Sequence, residues 1–287
     1  MQSSKKKILL IGHTGFLGSH LTHLLNTFEV VTLDKSILDL SKKLSSSFEE
    51  HVKLNQYDYA IICAAISDVE KCFQDQALSN QVNVDGTQEL LMLLKYYHVK
   101  PIFFSSDYVF SEKLTPYNET DAPSPKTIYG NQKLAIEVFM QQHFDNFLIF
   151  RTSKLMSKTN HSKNILYPII KNLKEGKISN CFEDQFLNPV FVEDIARVIQ
   201  KSIDEKITGI FHLGTRTLFN RYELGLFLAK NLNYDSHLIS PTRMKDMTFS
   251  ESRPNNNMLD CTQIEKILNF KFCEIEEAIS ELKNIIK

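Results

Sequence analysis

Apolar and polar positions come in alternating blocks along the first half of the chain. Ile8–Ile11, Val30–Leu33, Ala60–Cys63, Ile102–Phe104 and Phe147–Phe150 are short, continuous apolar runs bounded by turn or polar residues. A run apolar at every position suits a strand buried on both faces, as in a parallel sheet covered by helices. Between these runs the pattern turns helical, over Phe16–Asn26, a segment near Lys35–Glu50, Ala77–His98 and Tyr129–His143. Ala77–His98 places Leu78, Val82, Leu90, Leu91 and Leu94 near helical spacing. Strand and helix in this rhythm predict an α/β fold, a Rossmann-type doubly wound parallel sheet with helices on both faces. After Arg151 the pattern loosens. A polar stretch, Ser153–Asn164, precedes a helical run near Ile165–Glu175 and apolar runs at Val190–Val192 and Ile210–Leu213. Helices are expected at Glu193–Asp204, Arg221–Asn231, Thr262–Asn269 and Glu274–Ile286.

Composition narrows the partners. With 43% hydrophobic residues in 287, the chain can bury a large core without disulfides or metal. The 34 acids against 33 bases leave no global field to hold nucleic acid or an anionic membrane. The lysines are dispersed, and the histidines do not gather with cysteines or acids at metal-ligand spacing, so no metal is expected. The five cysteines (Cys63, Cys72, Cys181, Cys261 and Cys273) are odd in number, scattered and free of any CxxC pair. That pattern predicts free thiols in a reducing compartment. The basic stretch Met1–Lys7 is followed by too short an apolar run for a signal peptide, and no run approaches the ~18 residues of a membrane span. A cytoplasmic location is expected.

Glycine supplies the first chemical clue. There are only 9 in the chain, yet three fall within Gly12-His13-Thr14-Gly15-Phe16-Leu17-Gly18, between the first strand and the first helix. Glycine there lets the backbone turn sharply and approach a pyrophosphate, and the helix N-terminus offers unpaired N–H groups. The spacing is G-x-x-G-x-x-G, so its meaning rests on context. Asp34 ends the next strand 34 − 12 = 22 residues after the first glycine, where a carboxylate can hold a ribose 2′-hydroxyl. Lys35 beside it could instead meet a 2′-phosphate, so NAD(H) and NADP(H) both stay open. His13 reads as a tolerated loop residue. The expected division is a dinucleotide-binding domain over 1–155, with returning segments near 188–213, and a mainly substrate-binding region over 156–287.

A tyrosine and a lysine one helical turn apart can share a proton-transfer task, because a nearby ammonium favours phenolate and lowers the phenol's pKa. Spacing alone does not choose the pair: Tyr96/Lys100, Tyr129/Lys133 and Tyr167/Lys171 all satisfy it. Position does. Tyr96 ends a helix before Pro101, and Tyr167 is followed by Pro168. Tyr129 follows a strand whose carboxyl end carries Ser105-Ser106-Asp107, the edge where open α/β sheets bind ligands.

These features, with Cys63-Ala64-Ala65, Val69-Glu70-Lys71, Val82-Asn83-Val84-Asp85-Gly86-Thr87, Ser105-Ser106-Asp107-Tyr108-Val109-Phe110, Tyr129-Gly130-Asn131-Gln132-Lys133, Arg151-Thr152-Ser153, Asp184-Gln185 and Arg253-Pro254-Asn255-Asn256, run nearly end to end. The chain resembles an extended short-chain dehydrogenase/reductase and, more narrowly, the dTDP-4-dehydrorhamnose reductase family. The resemblance implies that Ser106, Tyr129 and Lys133 are catalytic, with Lys133 also on the nicotinamide ribose. It places Gly12, Thr14, Gly15, Phe16, Leu17, Gly18, Asp34, Lys35, Asp39, Leu40, Cys63, Ala64 and Ala65 along the cofactor. Ser67, Val69, Asp107, Tyr108, Lys154, Arg253 and Asn256 would meet the substrate. The implied reaction is NAD(P)H-dependent reduction of the C4 ketone of a nucleotide-linked 4-keto-6-deoxy sugar, in deoxysugar or surface-polysaccharide biosynthesis. Tyr129 would protonate the alkoxide while Ser106 donates a hydrogen bond to it. A homodimer is compatible with the resemblance. Lys154 departs from the family, which commonly carries tryptophan there; this chain has none. Two other readings share these residues: a sugar-nucleotide C4 epimerase, and a non-catalytic NADP-binding regulatory subunit like the methionine adenosyltransferase β subunit. Asp107 is followed by Tyr108 and not by a second acid, which argues against dehydration.

Overall fold

The computed structural model of the chain describes residues 5–159 and 164–286. The first four residues of the basic N-terminus, and 160–163 of the polar stretch, lie outside the described residues. The first half runs β1 (Lys7–Ile11), α1 (Phe16–Leu24), β2 (Glu29–Thr32), α2 (Ser46–Asn55), β3 (Tyr59–Ile62), α3 (Val69–Gln74), α4 (Gln76–Asn80), α5 (Gly86–Tyr96), β4 (Lys100–Ser106), α6 (Ile128–His143) and β5 (Leu148–Thr152). It continues with β6 (Leu155–Met156), α7 (Leu166–Lys174), β7 (Ser179–Phe182), β8 (Phe186–Leu187), β9 (Val190–Phe191), α8 (Val192–Asp204) and β10 (Gly209–Leu213). The chain closes with β11 (Phe219–Asn220), α9 (Arg221–Leu232), β12 (Ile239–Thr242), α10 (Thr262–Ile267) and α11 (Ile275–Ile286).

Six strands form one parallel sheet in the order β10-β5-β4-β3-β1-β2. Period-two alternation divides its side chains between two cores. Ile8, Leu10, Ile61 and Phe150 pack with Leu17 and Leu21 of α1 and Ile195 and Val198 of α8. Leu9, Ile11, Ile62 and Ile149 pack on the other face with Leu90, Leu91 and Leu94 of α5 and Ile136 and Met140 of α6. Both faces are covered, which is why the strands read as unbroken apolar runs. The chain runs from β1 to β2 on one side and returns to β3 on the other. The resulting crevice lies at the carboxyl ends of β1 and β3, the topological switch point of such sheets.

Two expected helices lie differently. The helix expected near Lys35–Glu50 is α2, and it begins only after Ser45, whose hydroxyl accepts from the Phe48 amide at 3.2 Å. Residues 34–44 are loop, drawn inward by buried Leu38 and Leu40. The single helix expected over Ala77–His98 runs as α4 and α5, joined without leaving helical geometry through a wide π-type turn over Gln81–Asp85. Asp75, just before it, has φ −128° and ψ 76°, and its carboxylate caps the helix by accepting from the Leu78 amide at 3.0 Å.

In the second half a third core joins Met156, Leu166, Ile170, Phe191, Leu224 and Ile239. The short strand pairs β7/β12, β8/β11 and β6/β9 frame it. Those strands are two to four residues long, too short to show alternation in the sequence.

Candidate active site

At the crevice the first glycine loop closes on the end of β3. Gly12 has φ +88°, and a Cβ there would lie 2.5 Å from the Ala64 amide nitrogen. Gly18 meets the same limit: its Cβ would lie 2.3 Å from the Gly12 carbonyl oxygen. Gly15 is freer, with the nearest atom at 3.3 Å. The packed loop leaves a cleft of about 340 Å³. Its walls include Gly12, His13, Thr14, Gly15, Lys35, Asp39, Leu40, Cys63, Ala64 and Ala65. Its shape suits a dinucleotide, because backbone can approach where a side chain would fill the space. Of the residues expected along the cofactor, Phe16, Leu17, Gly18, Asp34 and Lys133 are not among the cleft's walls. Asp34 is on the rim with its side chain 82% exposed, 3.8 Å from His13 Nε2. Leu17 points into the core, and Phe16 lines the neighbouring cavity.

That second cavity, about 400 Å³, lies beyond residues 64–69. Ser67, Val69, Ser106, Asp107, Tyr108, Tyr129, Lys154 and Arg221 line it. Ser106 reaches it from the end of β4, where it pairs in register with Thr152 of β5. Its hydroxyl donates to Asp107 Oδ1 at 2.9 Å and accepts from the Tyr108 amide at 3.2 Å. Tyr129 comes from the first turn of α6. Thr127 caps that helix by accepting from the Gly130 amide at 3.1 Å, and Glu251 accepts from the Ile128 amide at 2.8 Å. Gly130 lets the turn press on the preceding loop, since a Cβ there would lie 2.1 Å from the Tyr108 carbonyl oxygen.

One helical turn on, Lys133 donates to the Phe104 carbonyl at 2.8 Å and lies 5.7 Å from the Tyr129 ring centre. A further turn on, Glu137 receives Arg151 of β5 at 3.0 Å (Nε) and 2.7 Å (Nη2), both side chains nearly fully buried. His212 of β10 stands 3.3 Å from Arg151, and burial beside that guanidinium pushes it down to about 3, so it is neutral. The buried pair fastens α6 to the sheet.

The electrostatics correct one expectation. The ammonium was expected to lower the phenol's pKa, but burial, joined by the charge of Asp107, drives Tyr129 far above the ordinary phenol range. Lys133 spends a donor on the Phe104 carbonyl, and burial lowers it to about 8. Burial also pushes Asp107 up to about 6 against the opposing pull of the Ser106 hydroxyl. Tyr129 therefore stands protonated at neutral pH, available to donate.

Arg253 and Asn256, on the C-terminal loop and expected to meet the substrate, are not among the residues lining the second cavity. Arg253 lies 3.7 Å from Glu70 and stacks 4.2 Å from the Phe249 ring centre. Asn256 accepts from its own loop's Met258 amide at 3.3 Å. Sequence reasoning missed Arg221, Glu251 and the buried amide set around Asn83. The Asn83 side chain accepts from the Ile66 amide at 2.8 Å and donates to Gln132 Oε1 at 2.8 Å, and Gln132 donates to Ser79 at 2.9 Å. That set ties the wall between the two cavities to α6. Its one sequence signal was the polar Asn83 amid apolar neighbours.

Comparison with known proteins adds the lineage. Residues 6–287 match the RmlD substrate binding domain. The chain belongs to that family. It is 25% identical over 236 residues, 80% of this chain and 79% of the other, to a protein of Haloferax volcanii named probable low-salt glycan biosynthesis reductase Agl14. It is also 25% identical over 287 residues, 91% of this chain and 82% of the other, to methionine adenosyltransferase 2 subunit beta of Pongo abelii. Among solved structures, the dTDP-4-dehydrorhamnose reductase of Bacillus anthracis in complex with NADP superposes with a TM-score of 0.88 at 22% identity, covering 98% and 99% of the two chains. As an RmlD family member the chain carries the Rossmann-type sheet that its strand pattern predicts. The five cysteines are free thiols. Among the described residues no helix is long and apolar enough to cross a membrane.

Proposed function

We propose that the chain is a nicotinamide-dependent reductase acting on the C4 ketone of a nucleotide-linked 4-keto sugar, in the manner of a dTDP-4-dehydrorhamnose reductase and within glycan biosynthesis. The observation that carries this reading is the meeting of two cavities at one wall. The glycine cleft lies on one side of residues 64–69, with Ser106 and a protonated Tyr129 on the other. The names borne by the archaeal relative and the superposed structure point the same way.

Gly12, Gly15 and the start of α1 would hold the pyrophosphate, and Lys133 the nicotinamide ribose. When bound, the reduced nicotinamide supplies hydride. Tyr129 holds the proton that the developing alkoxide needs, and the Ser106 hydroxyl donates to the same oxygen. That hydroxyl has a single proton, which goes to Asp107 Oδ1 at 2.9 Å in this structure, so it would turn from Asp107 to the substrate oxygen when the sugar binds. In this reading 1–155 with the returning 188–213 binds cofactor, and 156–287 chiefly binds the sugar nucleotide.

Oxidation of NADPH and NADH by purified protein with a panel of nucleotide 4-keto sugars is the test. Tyr129→Phe should cost about 10²–10⁴ in turnover with cofactor affinity nearly intact. Tyr96→Phe, whose parent side chain is 73% exposed, and Tyr167→Phe should match wild type. The likeness to a methionine adenosyltransferase subunit favours a second reading, a cofactor-binding regulatory subunit. Cofactor binding without turnover of any ketosugar would establish that one instead.

A further inference from the structure

The sugar cavity holds a cation that the reductase chemistry does not use. Lys154 lies two residues beyond Thr152, the register partner of Ser106, so it leaves the sheet beside the reacting hydroxyls. Its backbone is pinned, because the Val190 amide donates to its carbonyl at 3.0 Å. The side chain is half-buried, lines the cavity and forms no ion pair among the described residues. Among the described residues Asp107 is the carboxylate that lines the same cavity; it accepts from Ser106 at 2.9 Å, and its charge and that of Asp68 act on Lys154 without an ion pair to either.

A second cation, Arg221, stands at the other end. The Asn220–Glu223 capping box, with contacts of 2.7 and 3.1 Å, fixes it at the start of α9. There it borders both this cavity and the next one, of about 320 Å³, toward Cys181 and Leu224. Its Nε is buried without a partner. A sugar nucleotide laid from Tyr129 toward the farther cavity would bring its diphosphate to Arg221, with its sugar beside Lys154. Burying an ammonium beside like-charged Arg221 costs free energy, and burial holds Lys154 below the ordinary lysine range against the opposing pull of Asp107 and Asp68. An arriving anion would repay that cost.

We infer that Lys154 binds a carboxylate carried by the sugar, so that the substrate is a carboxylated, uronate-type sugar nucleotide. The inference rests on the reductase reading and changes only its sugar. Calorimetry on the protein with bound NADP⁺ tests it, using UDP, UDP-glucose, UDP-glucuronate and the dTDP counterparts. The uronate should bind about tenfold or more tighter than the hexose. Lys154→Met should erase that difference while leaving UDP affinity unchanged, and Lys154→Arg should keep most of it. Equal wild-type affinity for hexose and uronate would overturn the inference alone. So would an equal loss of UDP and uronate in Lys154→Met, which would move Lys154 to the diphosphate. Binding of no sugar nucleotide in either series would overturn the reductase reading and this inference together.

Discussion

The two cavities that meet at residues 64–69 are built from different material. The cofactor cleft is shaped by backbone: Gly12 and Gly18 are small because the chain itself occupies the space a Cβ would need. The second cavity is shaped by side chains brought from β4, α6, β5 and α9, several of them ionisable and pushed off their ordinary pKa values by burial. A backbone-built site tolerates change wherever space remains and fails where none does. A site built from side chains changes its preference one residue at a time. In the reductase reading the first kind would serve any dinucleotide-binding relative, while the second would set which substrate is turned over.

The sharpest way to break that contrast is within the glycine loop. Gly12→Ala combines an unfavourable φ of +88° with a 2.5 Å approach to Ala64, and should weaken cofactor binding about a hundredfold. Gly15→Ala, at an ordinary φ of −75°, meets only a 3.3 Å neighbour and should cost no more than about fivefold. Titration of both variants with NADPH, followed by fluorescence, checks the pair. Equal losses would mean that the loop is not read through its backbone.

The same contrast explains what was legible in the sequence. The strands showed because burial on both faces leaves no polar position in Ile8–Ile11 or Ala60–Cys63. The glycine cleft showed because backbone geometry restricts residue type over a few consecutive positions. Tyr129 was separable from Tyr96 and Tyr167 only by its place after the strand that ends in Ser106. The other half of the site was hidden. Arg221, Glu251 and Asn83 act from segments far apart in the chain, and no spacing rule links 83 to 132 or 251 to 128. The π-type turn at Gln81–Asp85 was hidden as well, because Leu78, Val82 and Leu90 keep near-helical spacing across it.

Lys133 lies one turn beyond Tyr129 on α6, bonded to the Phe104 carbonyl at 2.8 Å, and its charge tests the cofactor side of the contrast. Its pKa is lowered to about 8, so the ammonium is present below that pH and lost above it. Cofactor affinity should therefore fall as pH rises through about 8, by up to about tenfold per unit. Lys133→Met should bind weakly at every pH, without that slope. A slope that survives in Lys133→Met would assign the titration to another group.

Arg253 probes the side-chain-built cavity from its outer loop. Arg253→Ala should raise KM for the sugar nucleotide about tenfold, the scale of one charge-assisted hydrogen bond, and leave KM for the cofactor unchanged. Its contact with Glu70 at 3.7 Å gives the alternative outcome. If thermal stability drops while both KM values hold, Arg253 anchors the loop and does not touch substrate.

The smallest effect belongs to the cofactor rim, where side chains do enter the backbone-built site. Asp34 lies two residues beyond β2, at the position expected to hold a ribose 2′-hydroxyl, but its side chain is 82% exposed and 3.8 Å from His13. Lys35 lines the cleft, with Asp39 3.7 Å away. An exposed carboxylate shares its hydrogen bonds with water, so Asp34→Ala should weaken NADH by no more than about fivefold and NADPH less. Lys35→Ala should do the reverse, weakening NADPH more because it removes the cation nearest the place of a 2′-phosphate. Paired affinities for the two cofactors in both variants decide the matter. Opposite shifts would show that a two-residue rim sets cofactor preference on an otherwise indifferent backbone cradle. Parallel shifts would return the preference to the cradle itself and remove Asp34 from the ribose.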